Sequence, residues 1–463
     1  MLEALKTKEN RIPEPILLKD LDFDTPFYEG LQYNPPARGV WNIVHTGMLI
    51  PEAHQIYVCA QGCLRGVILT AAEMNLMERM SWVSLREKDM WNGEMESRVV
   101  EGVAHIVEQM EKRPRCILVY LSCMHMFEGC DFRVIADELS ERFPGTYFVD
   151  CYMTPTMRKT MSPDAMMKNS LYSPITKLEK NPDQVALVGC DRATDKTSDI
   201  YELCTMAGKK VWEINECETY DEYLQLGASS LLISYLPVAS AGVRKLADKL
   251  QIPWIYAELS YDEEDMIDNV KTLGELLGIE NVIVDDFISK KKEEIRTAMK
   301  QAKDLVGDTP IVIDYSATPS SMGLARCLTE YDFNVRTIYS DVFRKDERKH
   351  FEKLKELKPD ILIYPTMDPA MRYADNQYED GDSAAENTSA GNTSIESEKI
   401  IAIGQKAAYF VHTPYFVNIA DGGGMYGLDG LKRMAEEIME AYKAPKDTKK
   451  LISHKGIGCD SCL

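Results

Sequence analysis

Short apolar runs rich in β-branched residues recur along this chain and alternate with stretches of helical period, and this alternation constrains the fold more than any other feature. Ile56 to Cys59, Cys116 to Ser122 and Tyr147 to Cys151 make a first series of strands. Between them, Glu94 to Glu111 repeats Val99, Val103, Ile106, Val107 and Met110 on one helical face, and Val134 to Phe143 is a further helix. A second series runs through Gln184–Val188, Lys210–Ile214, Ser230–Tyr235 and Pro253–Tyr256, with helices over Thr197–Ala207 and Ala239–Leu250. A long charged helix, Asp285 to Leu305, leads into a third series. Its strands are Pro310–Asp314, Asn334–Ile338, Asp360–Tyr364, Lys399–Ile403 and Ala407–Val411, and a helix over Asp429–Lys443 closes it. Strand–helix–strand order of this kind builds parallel sheets. The expectation is an α/β chain of three parallel-sheet domains, at residues 1–155, 156–283 and 284–463. Residues 1–27 read as a surface arm or short helix, 41–50 as a short helix, and 152–181 as a crossing between domains. The low-complexity stretch 375–398 cannot bury apolar area and reads as a surface loop.

Composition narrows the function classes. No uncharged apolar run reaches the roughly 18 residues a membrane span needs, and the first residues lack the apolar core of a signal peptide. The chain is expected in the cytoplasm. A net charge of −21 argues against nucleic acid or an anionic membrane as partner. It reads as solubility, or as an acidic face that steers a redox partner. Twelve cysteines in such a chain are a mixture of core thiols and metal ligands rather than a disulfide framework.

Two segments place those cysteines tellingly. In Tyr57-Val-Cys59-Ala-Gln-Gly-Cys63 and Leu118-Val-Tyr-Leu-Ser-Cys123-Met-His-Met-Phe-Glu-Gly-Cys130, cysteines stand just after a short apolar run, where a parallel strand ends. Loops there are where open α/β sheets bind ligands, and thiolates there suit a soft metal site or an iron–sulfur cluster. Spacing alone leaves the buried core thiol as an equal reading. GxxxxGK[ST] and a strand–GxGxxG–helix are both absent, so the chain itself is not expected to hydrolyse ATP.

Gln61-Gly-Cys63 after one strand and Leu121-Ser-Cys123 after another resemble the nitrogenase component 1 family. Further pieces agree in order and spacing: Tyr28 to Pro36, Leu187-Val-Gly189, Thr309 to Arg326, Lys358 to Ile363, and Tyr426-Gly-Leu-Asp-Gly430. The resemblance implies three Rossmann-like domains around a central cleft that holds the active site. It implies Cys63 and Cys123 as cluster ligands, with the cluster at the interface of two subunits, homologous or identical. It also implies a separate ATP-dependent iron–sulfur reductase as electron donor and a small-molecule substrate, which the sequence does not name.

The chain departs from the family pattern at four places. The first family cysteine follows a stretch like Asn34–Gly39, and Val40 stands there instead. Cys59 is an extra thiol that can replace it, and Cys130 is a second extra one. The missing thiolate favours a [4Fe–4S] cluster shared by two subunits over an eight-iron one. The cysteine that binds the second metallocofactor in nitrogenase α subunits falls near Leu231–Tyr235, where this chain has Ser234; the companion histidine falls at His412. That second cofactor, and dinitrogen reduction with it, is therefore doubtful, and a loop histidine bonded to backbone is the preferred reading of His412. His125 reads as a hydrogen-bond donor behind the ligands, as a proton carrier, or as helix-start polarity. Cys459 and Cys462 form a terminal CxxC open to metal or thiol chemistry. The resulting expectation is an oxidoreductase subunit that relays low-potential electrons through the cluster. A non-catalytic scaffold for cluster assembly, or a metal-free partner subunit, are the alternatives.

Overall fold

A computed structural model describes residues 12–24, 43–154, 163–341, 343–374, 399–448 and 451–452. Asn34–Gly39 and Val40, the 375–398 insertion, and Cys459 with Cys462 lie outside the described residues.

In chain order the strands are β1 (Ile16–Leu17), β2 (His54–Ala60), β3 (Met80–Leu85), β4 (Cys116–Ser122), β5 (Tyr147–Met153), β6 (Gln184–Leu187) and β7 (Lys210–Glu213). They continue as β8 (Leu231–Ser234), β9 (Trp254–Tyr256), β10 (Ile311–Asp314), β11 (Val335–Tyr339), β12 (Leu362–Tyr364), β13 (Ile401–Ile403) and β14 (Phe416–Val417). They form three sheets, ordered β3-β2-β4-β5, β7-β6-β8-β9 and β1-β12-β11-β10-β13-β14. Every pairing is parallel except β1 with β12. Two compact units result. One, from Trp41–Thr194 and Tyr201–Glu258, holds both four-stranded sheets; the other, from Met1–Val40, Asp195–Ile200 and Leu259–His454, holds the six-stranded one.

Period-2 alternation explains the two faces of the first sheet. Ile56, Val58, Ile117, Val119 and Leu121 face Val99, Val103 and Val107 of the helix Met95–Gln109 and Ile135 and Leu139 of the helix Phe132–Arg142. Tyr57, Cys59, Leu118 and Tyr120 face the opposite way. They join Leu64, Val67 and Ala71 of the helix Gln61–Glu73 in a core that continues to Val188 and Leu232 of the second sheet's region. The helix after β2 and the helices after β3 and β4 thus lie on opposite faces. The chain diverges where it leaves β2 and β4, which is the switch point that opens a crevice at strand ends.

Three details differ from the sequence reading. Met80–Leu85 is an edge strand that alternation did not single out; Met80, Val83 and Leu85 turn inward while Trp82 stays exposed. Ala407–Val411 was expected as a strand, but Gln405–Phe410 is helical and β14 takes the next place in the sheet. Parallel neighbours need a crossover of about a dozen residues, which the gap between Ile403 and Ala407 cannot supply. Residues 152–181 include the helix Pro163–Leu171. Among the described residues, no helix is long and apolar enough to cross a membrane.

Candidate metal centre

Cys59 is the next-to-last residue of β2 and is fully buried. Val58 pairs with Leu121 on β4, so Cys59 stands level with the end of β4 where Cys123 leaves it. Cys63 is the third residue of the helix Gln61–Glu73 and is exposed. Cys123 opens the short helix Cys123–Glu128 and is half-buried. Burial, and then the charges of Cys63 and Cys123, push the Cys59 thiol up to about 12. The three thiols are therefore electrostatic neighbours at the switch point.

Cys130 is not in that group. Gly129 ends the short helix in the left-handed region (φ 71°), and Cys130 N donates to His125 O at 2.9 Å. A six-residue helix spans about 9 Å, which carries Cys130 away from Cys123. Burial and then Glu96 and Glu128 push its thiol up to about 11. Asp131 N donates to Glu96 Oε1 at 2.8 Å, anchoring this end to the neighbouring helix.

His125 sits between them in the first turn and is 1% exposed. Ser122 N donates to its Nδ1 at 3.1 Å, and Ser122 Oγ lies 3.2 Å from the same atom. Its Nε2 is buried with no hydrogen-bond partner among the described residues. Burial pushes this imidazole down to about 4, so it is neutral at physiological pH.

The two residues read against a second cofactor lie elsewhere. Ser234 ends β8, fully buried, and its Oγ has no partner among the described residues. Gly189 faces it with φ 99°; a Cβ there would lie 2.8 Å from Ser234 Oγ and 2.4 Å from Ala239 Cβ. The hydroxyl is thus closed in by packing, with no room for a metallocofactor against it. His412 is exposed, has φ 50° and follows the helix Gln405–Phe410, ahead of β14. It lies at the start of a strand, the edge opposite to strand ends where ligands gather.

In the third series, the loop after β10 and the loop after β14 are tied to each other by backbone hydrogen bonds. Asp421 N donates to Ser316 O at 3.0 Å and Gly422 N to Ala317 O at 2.8 Å. A feature the sequence reading passed over is a pair of exposed aromatic side chains on the short helices after β3 and β4. Trp91, in the helix Glu87–Trp91 after β3, is 79% exposed, and Phe127, after β4, is 75% exposed. Phe127 follows a legible strand, β4, and was the available signal; Trp91 follows β3, which the sequence reading did not single out.

The family model for nitrogenase component 1 type oxidoreductases matches residues 44–381. This chain belongs to that family. A solved structure described as nitrogenase Cp1 at pH 6.5 is similar over 91% of this chain and 95% of its own, with 15% identity and a TM-score of 0.63. Another, nitrogenase Cp1 at pH 5, covers 91% of each chain with 13% identity and a TM-score of 0.55. At such identities the likeness is one of fold. No curated protein matches the chain.

Proteins of the nitrogenase family carry metal–sulfur clusters. Among the described residues, no three His, Cys, Asp or Glu side chains close up to hold a single ion. A cluster spaces its thiolates more widely than one ion does. The donor set fits it: three neighbouring thiols, two of them reachable from outside.

Proposed function

We propose that this chain is a subunit of a nitrogenase-like oxidoreductase that holds an iron–sulfur cluster through Cys63, Cys123 and Cys59. The observation that carries this reading is the placement of Cys59 at the end of β2, Cys63 in the first turn of the helix after it and Cys123 just past the end of the neighbouring β4, while Cys130 packs against the other face of the sheet. A [4Fe–4S] cluster takes four ligands, so a second subunit, homologous or identical, completes the set. The exposed Cys63 supports a subunit interface there, and the exposed Trp91 and Phe127, on helices after the two strands beside β2, are apolar surface that such an interface can cover. Bound in place, the cluster supplies one-electron storage at low potential. The chain's own residues fix the thiolates and exclude water on the Cys59 side. The donor is a separate ATP-dependent reductase, the acceptor a small molecule, and the compartment the cytoplasm.

Iron and acid-labile sulfide, measured on anaerobically purified protein with EPR after dithionite, test this. About four irons per dimer with a reduced-cluster signal is the expected result. A folded dimer without iron sinks it and leaves a metal-free partner subunit. The closed packing at Ser234 favours one further reading, a scaffold that holds a cluster only until transfer. Loss of the cluster to an apo-acceptor, without turnover in the presence of reductase and ATP, identifies that case.

A further inference from the structure

The outer face of the helix Ser240–Leu250 and the first residue of β9 line a cavity of about 510 Å³, within the size range of small-molecule sites. Its lining is Ser240, Ala241, Arg244, Lys245, Asp248 and Trp254, all in one compact unit. Arg244, Lys245 and Asp248 are exposed, so a ligand reaches them from solvent. Trp254 is half-buried and packs partly against the core, which holds its ring in place.

The polar groups of this lining are unspent. Among the described residues, the Arg244 guanidinium, the Lys245 ammonium and the Trp254 indole N–H donate to no protein atom. Arg244 and Asp248 stand at i,i+4 on the helix, where opposite charges ordinarily pair, yet they form no ion pair. Lys249 on the same helix is the contrast, since its Nζ donates to Ser173 O at 2.8 Å. Two cations and an indole N–H on one cavity select an anion, and the planar fork of an arginine matches a phosphate. The indole face takes a flat ring, as aromatic side chains do with bases. Asp248, one turn or about 6 Å along the axis from Arg244, is an acceptor for hydroxyl groups. An acidic side chain on ribose hydroxyls is the pairing that dinucleotide folds use. Phosphate, flat ring and sugar hydroxyls occur together in a nucleotide.

We infer that this cavity binds a mononucleotide, with its phosphate on Arg244 and Lys245, its base against Trp254 and its ribose toward Asp248. The chain has no P-loop, so the nucleotide is bound there and not hydrolysed. The site uses none of the thiols and stands whether or not they hold a cluster.

Calorimetric titration of the full chain with AMP, alongside tryptophan fluorescence, tests this. The expected result is saturable binding with quenched fluorescence. Arg244→Ala and Lys245→Ala should each weaken it about tenfold, with circular dichroism unchanged because both side chains are exposed. Adenosine and inorganic phosphate should each bind more weakly than AMP, since each keeps only part of the contacts. Trp254→Phe should lose most of the quenching. No saturable binding at millimolar AMP overturns the inference. Inorganic phosphate that binds as well as AMP also overturns it, and so does an AMP affinity unchanged in the Arg244→Ala, Lys245→Ala double variant. Should Trp254→Phe fail to fold, the two exposed positions decide alone.

Discussion

Cys59 and Cys63 are four residues apart and live in opposite surroundings. The first is buried in the same core as Tyr57 and Tyr120, with its thiol pushed up to about 12 by burial; the second faces solvent. Only thiolate reacts with alkylating agents, and only where reagent can reach it. Iodoacetamide at pH 8 should therefore modify Cys63 in the folded apoprotein well before Cys59, read by peptide mass spectrometry. Equal labelling would mean that β2 does not end as described. Metal binding should sort the same thiols differently. Cys63→Ser and Cys123→Ser should each remove most of the iron, while Cys130→Ser should leave it unchanged within error. Asp199 carries a separate prediction. Its enclosed carboxylate accepts from Leu428 N at 2.6 Å and Asp429 N at 3.1 Å, yet burial outweighs these and pushes its pKa up to about 7. The unfolded value is about 3.9, so the folded-state value is raised. The stability it contributes is complete below about pH 4 and is lost as pH rises through about 7. The difference in melting temperature between wild type and Asp199→Asn should change across that window and level off above pH 8. A difference constant with pH would show that Asp199 does not titrate there.

Elements were legible where apolar period and length were both strong. The strands at Cys116–Ser122 and Gln184–Leu187 and the helices at Met95–Gln109 and Asn281–Val306 fall where β-branched runs and helical spacing put them. Edge and crossover pieces were harder. Met80–Leu85 mixes Ser and Trp with its inward residues, and Gln405–Phe410 is a six-residue helix whose Ala-Ala-Tyr-Phe suits a strand equally well. The cysteines at the site could be read from the sequence because strand ends are marked by composition. For His125 the sequence left three readings open, since the surroundings of the ring depend on which way it folds and on which nitrogen meets the Ser122 amide. Close element packing also left a trace only in glycine. In the helix Ser240–Leu250, a Cβ at Gly242 would lie 2.7 Å from Lys168 O, a backbone atom of the helix Pro163–Leu171. Gly242→Ala must push one helix off the other, and overpacking of this kind costs about 1–3 kcal/mol. Chemical denaturation of the variant should show that loss, and an unchanged midpoint would mean that the two helices separate freely.

For the whole molecule, the thiol count decides what else must be present. One chain brings three neighbouring thiols to the switch point, one fewer than a four-iron cluster takes. Large exposed aromatics are uncommon on a monomer's surface and are the residues that anchor interfaces. Here Trp91 and Phe127 are exposed on the short helices that follow β3 and β4, the two strands on either side of β2. If a second subunit covers the thiols, these rings are buried in the assembly and carry a large share of its affinity. Truncating an anchor of this kind costs about 2 kcal/mol, which weakens the dimer about 30-fold. A Trp91→Ser, Phe127→Asp double variant should then sediment as a monomer at micromolar concentration while keeping its circular dichroism. Its iron should fall together with the dimer fraction, because the partner's ligand leaves with the partner. Iron retained by a monomeric variant would mean that one chain completes the ligand set unaided. A dimer that survives both substitutions would place the subunit contact away from the thiols, and the shared cluster would lose its support.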